Sequence, residues 1–181
     1  GRWLGVNGAA IYASRPWRTF GEGQIRFTRK GNAVYVICFE RVAEHITISS
    51  LGKASLGGLH ITDVKMLGSD ADIDWRQTAS ELRVTMPDSR PCRYAVTFKV
   101  TLSGFAPGGL EVDNIAGSNK INGRIEVANY TDRERTVDLN LYVGGKAVTT
   151  KQISVGPQSS QQVSLSCTLP GAGLYSISAG T

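Results

Sequence analysis

The sequence predicts an all-β protein built from two consecutive antiparallel β-sandwich domains of the Ig-like or Greek-key kind. Short runs rich in Val, Ile, Thr, Phe and Tyr recur along most of the chain. Gly, Asn, Asp, Pro and Ser separate these runs, at the spacing of roughly 8 to 12 residues that is typical of sandwiches. Helical periodicity is confined to the N-terminal end, so the helical content is expected to be small.

The first series of predicted strands follows a short helix. Residues 2–12 place Trp3, Val6 and Ala10 on one side of a helix. Strand-like runs then occupy residues 24–28, 33–39, 45–49, 61–67, 81–86 and 95–102. Residues 29–32 separate the first two runs and predict a hairpin turn.

A second series begins after a break. Residues 103–109 hold glycines on both sides of Pro107, which predicts a domain boundary. The later runs are 110–115, 123–129, 136–143, 147–155, 162–169 and 175–179, with turns at 144–145 and 171–173. The expected domains are therefore 18–105 and 106–181, preceded by a helix and linker at 1–17.

The formal net charge of +5 lies at the N-terminal end of the chain. Among the first thirty residues, Glu22 is the one acidic residue, and the basic ones are Arg2, Arg15, Arg18, Arg26, Arg29 and Lys30. A pI near 9.3 fits an anionic partner, but a charge confined to one end favours docking over nucleic-acid binding. The sequence also lacks an apolar run of about 18 residues, so we expect no membrane span.

No group of residues predicts a catalytic, cofactor or metal site. His45 and His60 stand at strand starts rather than at a ligand-pair spacing. Asp70, Asp72, Asp74 and Glu81 match four positions of a calcium loop, but Trp75 stands where that loop needs glycine. A turn with solvated aspartates is therefore the preferred interpretation, and a weak surface calcium site stays open as the alternative.

The cysteines and one sequon also have structural interpretations. Cys38, Cys92 and Cys167 are odd in number and lack the CxxC spacing of a zinc site, so thiols are expected. A disulfide between Cys38 and Cys92 stays open as an alternative. Asn129-Tyr130-Thr131 matches the N-glycosylation sequon, and Asn is equally at home in a turn.

Four residues are candidates for a protein interface or for sugar contact: Trp3, Arg15, Trp17 and Phe20. Aromatic and cationic side chains alternate here, as they do along a nucleic-acid groove. The same composition serves protein docking. Because the chain begins inside an amphipathic segment, packing against further protein is the favoured interpretation.

Residues 1–102 hold an ordered set of short motifs. They are Asn7-Gly8, Ile11-Tyr12, Arg15-Pro16-Trp17, Gly21-Glu22-Gly23, Ile25-Arg26-Phe27-Thr28, Lys30-Gly31, Val34-Tyr35, Leu67-Gly68, Trp75, Gln77, Leu82, Val84, Pro87, Tyr94-Ala95 and Phe98-Lys99. Together they resemble the C-terminal region of the α-L-fucosidases of glycoside hydrolase family 29. The second series of strands is similar to bacterial Ig-like adhesion or spacer modules.

The resemblance implies that residues 1–17 end a catalytic barrel and that 18–105 are the sandwich packed against it. It implies retaining hydrolysis of terminal α-linked L-fucose by two carboxyl groups of the barrel, about 5 Å apart. We therefore expect this chain alone to be inactive, with the barrel and fucosylated glycans as partners and no cofactor. A periplasmic or secreted location is also implied. The alternative is a carbohydrate-binding or adhesion module without enzymatic activity.

Overall fold

The computed structural model describes residues 1–39, 44–92, 94–114, 118–171 and 175–180. Strands account for 60% of the structure and helices for 10%. The strand pairs are antiparallel, which confirms the predicted fold class. The chain divides into two compact units, Gly1–Gly104 and Phe105–Thr181.

The first unit begins with two short helical elements and continues as strands. Its elements are α1 (Arg2–Asn7), a 3-10 helix (Gly8–Ala10), β1 (Arg15–Glu22), β2 (Ile25–Lys30), β3 (Ala33–Cys38), β4 (His45–Ile48), a 3-10 helix (Ser49–Leu51), α2 (Lys53–Leu56), β5 (Leu59–Met66), β6 (Trp75–Gln77), β7 (Leu82–Thr85) and the first part of β8 (Val96–Asn114). One sheet has the order β1-β2-β3-β8, with β5 also paired to β8, and the other has the order β4-β7-β6.

The core of the first unit rests on a row of side chains that crosses four strands. Phe27 lies opposite Val36, Val36 opposite Phe98, and Phe98 opposite Met66. All four side chains are buried. Buried residues at alternate positions of the other sheet complete this core: Ile46, Ile48, Leu82 and Val84. The two sheets therefore form a sandwich.

The opposite face of the same sheet is covered by the N-terminal helical elements. Ala33, Tyr35 and Ile37 of β3 form a buried cluster with Ala10, and Trp3 and Leu67 pack against it. The Thr28 hydroxyl donates a hydrogen bond to the Ala10 carbonyl at 2.6 Å. Strand β3 is consequently buried at every position and on both faces.

The second unit is also made of two antiparallel sheets. Its strands are the end of β8, β9 (Lys120–Asn129), β10 (Arg135–Val143), β11 (Lys146–Val155), β12 (Ser159–Thr168) and β13 (Ile177–Gly180). The strands β8, β9 and β12 are neighbours in one sheet, and β11, β10 and β13 in the other. Their buried side chains form one cluster of Ile125, Val127, Leu139, Leu141, Ile153, Val155, Val163 and Leu165.

Two features of the strands differ from expectation. Strand β8 runs through residues 103–109, where a break between two strands was expected, and pairs with β9. The division into two units falls within this strand, between Gly104 and Phe105. An irregularity between Pro107 and Leu110 lets the strand hold a proline, which cannot donate to the ladder. The sequence pattern also does not predict strands β1 and β6, because β1 contains Pro16 and β6 has only three residues. Ile115 and the turn residues Ala172 and Gly173 lie outside the described residues.

The helices of the described residues are all too short or too polar to cross a membrane.

Gly104 ends the pairing of β5 with β8. Its φ is +122°, and a Cβ there would lie 2.4 Å from the Gly58 carbonyl oxygen. Only glycine adopts this backbone without strain. The contact is to backbone, so the neighbour cannot move away as a flexible side chain would.

Gly104→Ala should lower the free energy of unfolding by at least about 2 kcal/mol, because strain and a backbone clash add. Gly109→Ala is the matched control in the same strand, since a Cβ at Gly109 meets nothing within 4 Å. Its expected effect is within about 0.5 kcal/mol. Equilibrium denaturation of both variants measures the difference, and equal effects would contradict the strain argument.

Candidate functional site: the surface around the N-terminal helix

Trp3 fixes α1 to the sheet. Its indole Nε1 donates a hydrogen bond to the Ala95 carbonyl at 3.0 Å. Asn7 adds a second attachment, since its Nδ2 lies 3.1 Å from the Trp3 carbonyl and 3.4 Å from the Cys92 sulfur. Trp3 is half-buried and packs against the cluster of Ala10, Ala33, Tyr35 and Ile37.

Trp17 lies on the other side of the same sheet. It is 4% exposed, and its ring meets Phe27 edge to face at 5.3 Å. Phe27 pairs with Val36, whereas Trp3 packs near Tyr35, and successive residues of a strand point to opposite faces. Trp3 and Trp17 therefore do not share a surface.

Arg15 and Phe20 are exposed on β1. Phe20 is 72% exposed, and the Arg26 guanidinium carbon lies 5.6 Å from its ring centroid. Two carbonyl oxygens, those of Gly23 and Ile25, accept hydrogen bonds from Arg26 Nη1 at 2.8 Å and hold the guanidinium in place. A contact role for the four candidate residues stays a prediction, and Arg15 and Phe20 are the two with exposed side chains.

A further apolar surface lies on the outward side of the N-terminal helical elements. It consists of Leu4, Ile11 and Tyr12, which are 38%, 42% and 60% exposed. We call these three residues the N-terminal surface. Leu4 lies in α1, and Ile11 and Tyr12 directly follow the first 3-10 helix. The three residues are apolar in the sequence, but only the structure shows that their side chains are exposed while Trp3 packs inward.

A groove of about 580 Å³ lies beside the turn between β1 and β2, and Glu22, Cys38, His45 and Ser49 help to line it. The Glu22 carboxylate accepts hydrogen bonds from the Ser49 N–H at 2.7 Å and the Ser50 N–H at 3.0 Å, and from the Ser50 hydroxyl. Both carboxylate oxygens are thus occupied in capping the second 3-10 helix. Glu22 has a structural role that no local sequence signal revealed, because its partners lie far along the chain.

A second groove, of about 420 Å³, is lined in part by Asp63, Asp70 and Asp72. Asp70 and Asp72 are exposed, and Asp63 lies 3.8 Å from the Lys65 ammonium group. Within the described ranges, no three His, Cys, Asp or Glu side chains are placed to hold a metal ion. The calcium-loop spacing noted in the sequence therefore does not produce a coordination shell.

Cys38, Cys92 and Cys167 are free thiols, so the alternative of a Cys38–Cys92 disulfide is wrong. Cys38 is buried on the core face of β3, in line with Val34 and Val36. Burial raises the pKa of the Cys38 thiol from 9.0 to about 12, because the thiolate would be poorly solvated there.

We predict that Cys38 resists alkylation in the folded chain at pH 8 and reacts once the chain is unfolded, because the thiolate is the nucleophile. Peptide mass mapping after iodoacetamide treatment, with and without guanidinium, measures this. The same pKa shift means that the folded state loses stability as the pH rises from about 9 towards 12. Labelling of native Cys38 at the unfolded rate would contradict the prediction.

Residues 20–101 match the family model described as the alpha-L-fucosidase C-terminal domain. This segment of the chain is an alpha-L-fucosidase C-terminal domain. The matched segment begins at Phe20 in β1, contains all of β2 to β7, and ends within β8. The model match leaves the second unit unassigned.

The tissue alpha-L-fucosidase of Bos taurus is 36% identical over 108 residues, covering 56% of this chain and 22% of the bovine protein. The Homo sapiens tissue alpha-L-fucosidase is 33% identical over 109 residues, covering 56% and 22%. The chain therefore spans about a fifth of the length of these relatives. Among solved structures, an alpha-L-fucosidase isoenzyme 1 from Paenibacillus thiaminolyticus is similar at 21% identity and a TM-score of 0.46, covering 56% of this chain and 24% of that one.

Proposed function

We propose that the chain is the non-catalytic C-terminal part of an α-L-fucosidase and that it supports a catalytic barrel. The fucosidase C-terminal domain at 20–101 and the relatives named tissue alpha-L-fucosidase support this proposal. The proposed activity of the whole protein is retaining hydrolysis of terminal α-linked L-fucose. That chemistry needs a nucleophilic carboxylate and a carboxylic general acid in one site.

The carboxylates that line the two grooves are poorly suited to this chemistry. Glu22 already accepts hydrogen bonds on both oxygens, from Ser49 and Ser50. Asp70 and Asp72 are exposed, whereas the general acid of a glycosidase lies in a buried, apolar environment that keeps its carboxyl group protonated. We therefore propose that both catalytic carboxyl groups belong to the barrel and that this chain holds neither.

The N-terminal surface is the observation that carries the supporting role. The segment from α1 to Tyr12 is apolar on two sides: Trp3 and Ala10 pack inward, while Leu4, Ile11 and Tyr12 are exposed. Grouped apolar side chains at a surface are typical of a contact site. The proposed occupant is the catalytic barrel that the family resemblance implies for the whole protein. Fully burying a side chain of this size stabilises by about 1.5 to 3 kcal/mol.

The test compares two double variants of the complete protein that contains this chain. Leu4→Ser with Ile11→Ser should lower the temperature of half-inactivation by roughly 5 °C or more, without changing kcat at 25 °C. Val112→Ser with Val148→Ser is the control, since these residues of the second unit are 40% and 48% exposed. Equal effects of the two double variants would remove the contact proposal, and hydrolysis of an aryl α-L-fucoside by the chain alone would overturn the non-catalytic role.

Direct sugar contact at Phe20 is a second candidate function. The ring is 72% exposed, and the Arg26 guanidinium keeps it in a defined place. An exposed aromatic face beside a polar group is a surface on which a sugar ring can stack. This candidate assigns fucosylated glycans to the first unit as ligands.

Titration with fucosylated oligosaccharides tests the second candidate. Phe20→Ala should abolish saturable binding, whereas Tyr94→Ala should preserve it, because Tyr94 is an exposed aromatic residue of the same unit at another place. Binding that survives Phe20→Ala, or no binding by the unchanged chain, would leave the supporting role as the sole function proposed.

A further inference from the structure

Asn129, at the end of β9, is a polar residue with only 2% exposure in the second unit. Its Nδ2 lies 2.7 Å from the Arg133 carbonyl oxygen, 2.9 Å from that of Val155 and 3.0 Å from that of Gly156. Its Oδ1 accepts hydrogen bonds from the Thr131 N–H at 3.0 Å and the Thr131 hydroxyl at 2.7 Å. Both ends of the amide are therefore engaged.

These contacts join parts of the unit that are distant in sequence. Asn129 ends β9 in one sheet, and Val155 ends β11 in the other. The carbonyl of Arg133 belongs to the loop that leads into β10. One side chain thus bridges the two sheets and fixes the loop between them, and a buried amide without these partners would cost stability.

The same residues, Asn129-Tyr130-Thr131, match the N-glycosylation sequon. Glycosylation forms a bond between Nδ2 and C1 of the sugar, displaces the lipid diphosphate that carried the sugar, and removes one of the two Nδ2 hydrogens. The nitrogen must be reachable, and it must exchange a hydrogen bond for a bulky substituent. In the folded unit the nitrogen faces three backbone carbonyls instead of solvent.

We infer that Asn129 joins the two sheets of the second unit and that its sequon is open to glycosylation only in the unfolded chain. Folding of this unit and a glycan on Asn129 then exclude each other. The inference rests on the hydrogen bonds and burial of Asn129 and is independent of the proposed fucosidase role.

The structural half is tested with Asn129→Asp, which keeps the shape and the acceptor oxygen but replaces the donor with an oxygen facing carbonyl oxygens. The expected fall in Tm is about 10 °C or more. Asn119→Asp, at an exposed position just before the same strand, is the control and should shift Tm by less than about 2 °C. Hydrogen exchange should accelerate in β9 to β12 and not in β1 to β3. Matching behaviour of the two variants would overturn the inference.

The glycosylation half is tested by translating the full chain in the presence of microsomes and separating protease-resistant from protease-sensitive product. Arg124→Thr completes a sequon at the exposed Asn122 and is the positive control. Its cost is small, because the Arg124–Asp113 pair that it breaks is 52% and 60% exposed. A glycan at Asn122 should occur in resistant chains, while one at Asn129 should be absent or confined to sensitive chains. Resistant chains with a glycan on Asn129 would overturn the inference.

Discussion

The first unit depends on the burial of strand β3 on both faces. All six of its residues are buried, so neither side of the strand can be left to solvent. The face of Val34, Val36 and Cys38 belongs to the sandwich core. The face of Ala33, Tyr35 and Ile37 needs a separate cover, and the N-terminal helical elements provide it. The unit is therefore a sandwich with a third, partial layer.

That requirement explains why so short a helix is ordered. The six residues of α1 are far fewer than an isolated helix needs to persist in water. Packing of Trp3 and Ala10, with hydrogen bonds from the Trp3 indole and the Thr28 hydroxyl, supplies the stabilisation instead. The helix cannot leave without exposing Tyr35 and Ile37. Its outward residues are consequently held in a fixed place, as a contact surface requires.

In the second unit, hydrogen bonds from one buried side chain hold the two sheets together at their ends. Its apolar cluster fills the space between two sheets, but a sandwich must also hold its ends together where strands give way to loops. Asn129 does so with contacts to the carbonyls of Arg133, Val155 and Gly156. Glu22 acts comparably in the first unit, where it fixes the Ser49 and Ser50 backbone. In both cases the polar groups of one side chain are engaged by distant backbone: the Asn129 Nδ2 donates to three carbonyls, and the Glu22 carboxylate accepts from two N–H groups.

The sequence by itself determined the fold class, the two series of strands and the family resemblance of the first series, because these depend on local pattern and on ordered motifs. Only the tertiary structure decided that β1 is an edge strand that tolerates Pro16, and that β8 continues through Pro107 beside β9. Only the tertiary structure showed that Trp3 and Trp17 lie on opposite faces of the sheet and that Glu22 accepts hydrogen bonds from Ser49 and Ser50. The physical reason is that pairing across a sheet and the face to which a side chain points depend on residues far apart in sequence, which no local period records.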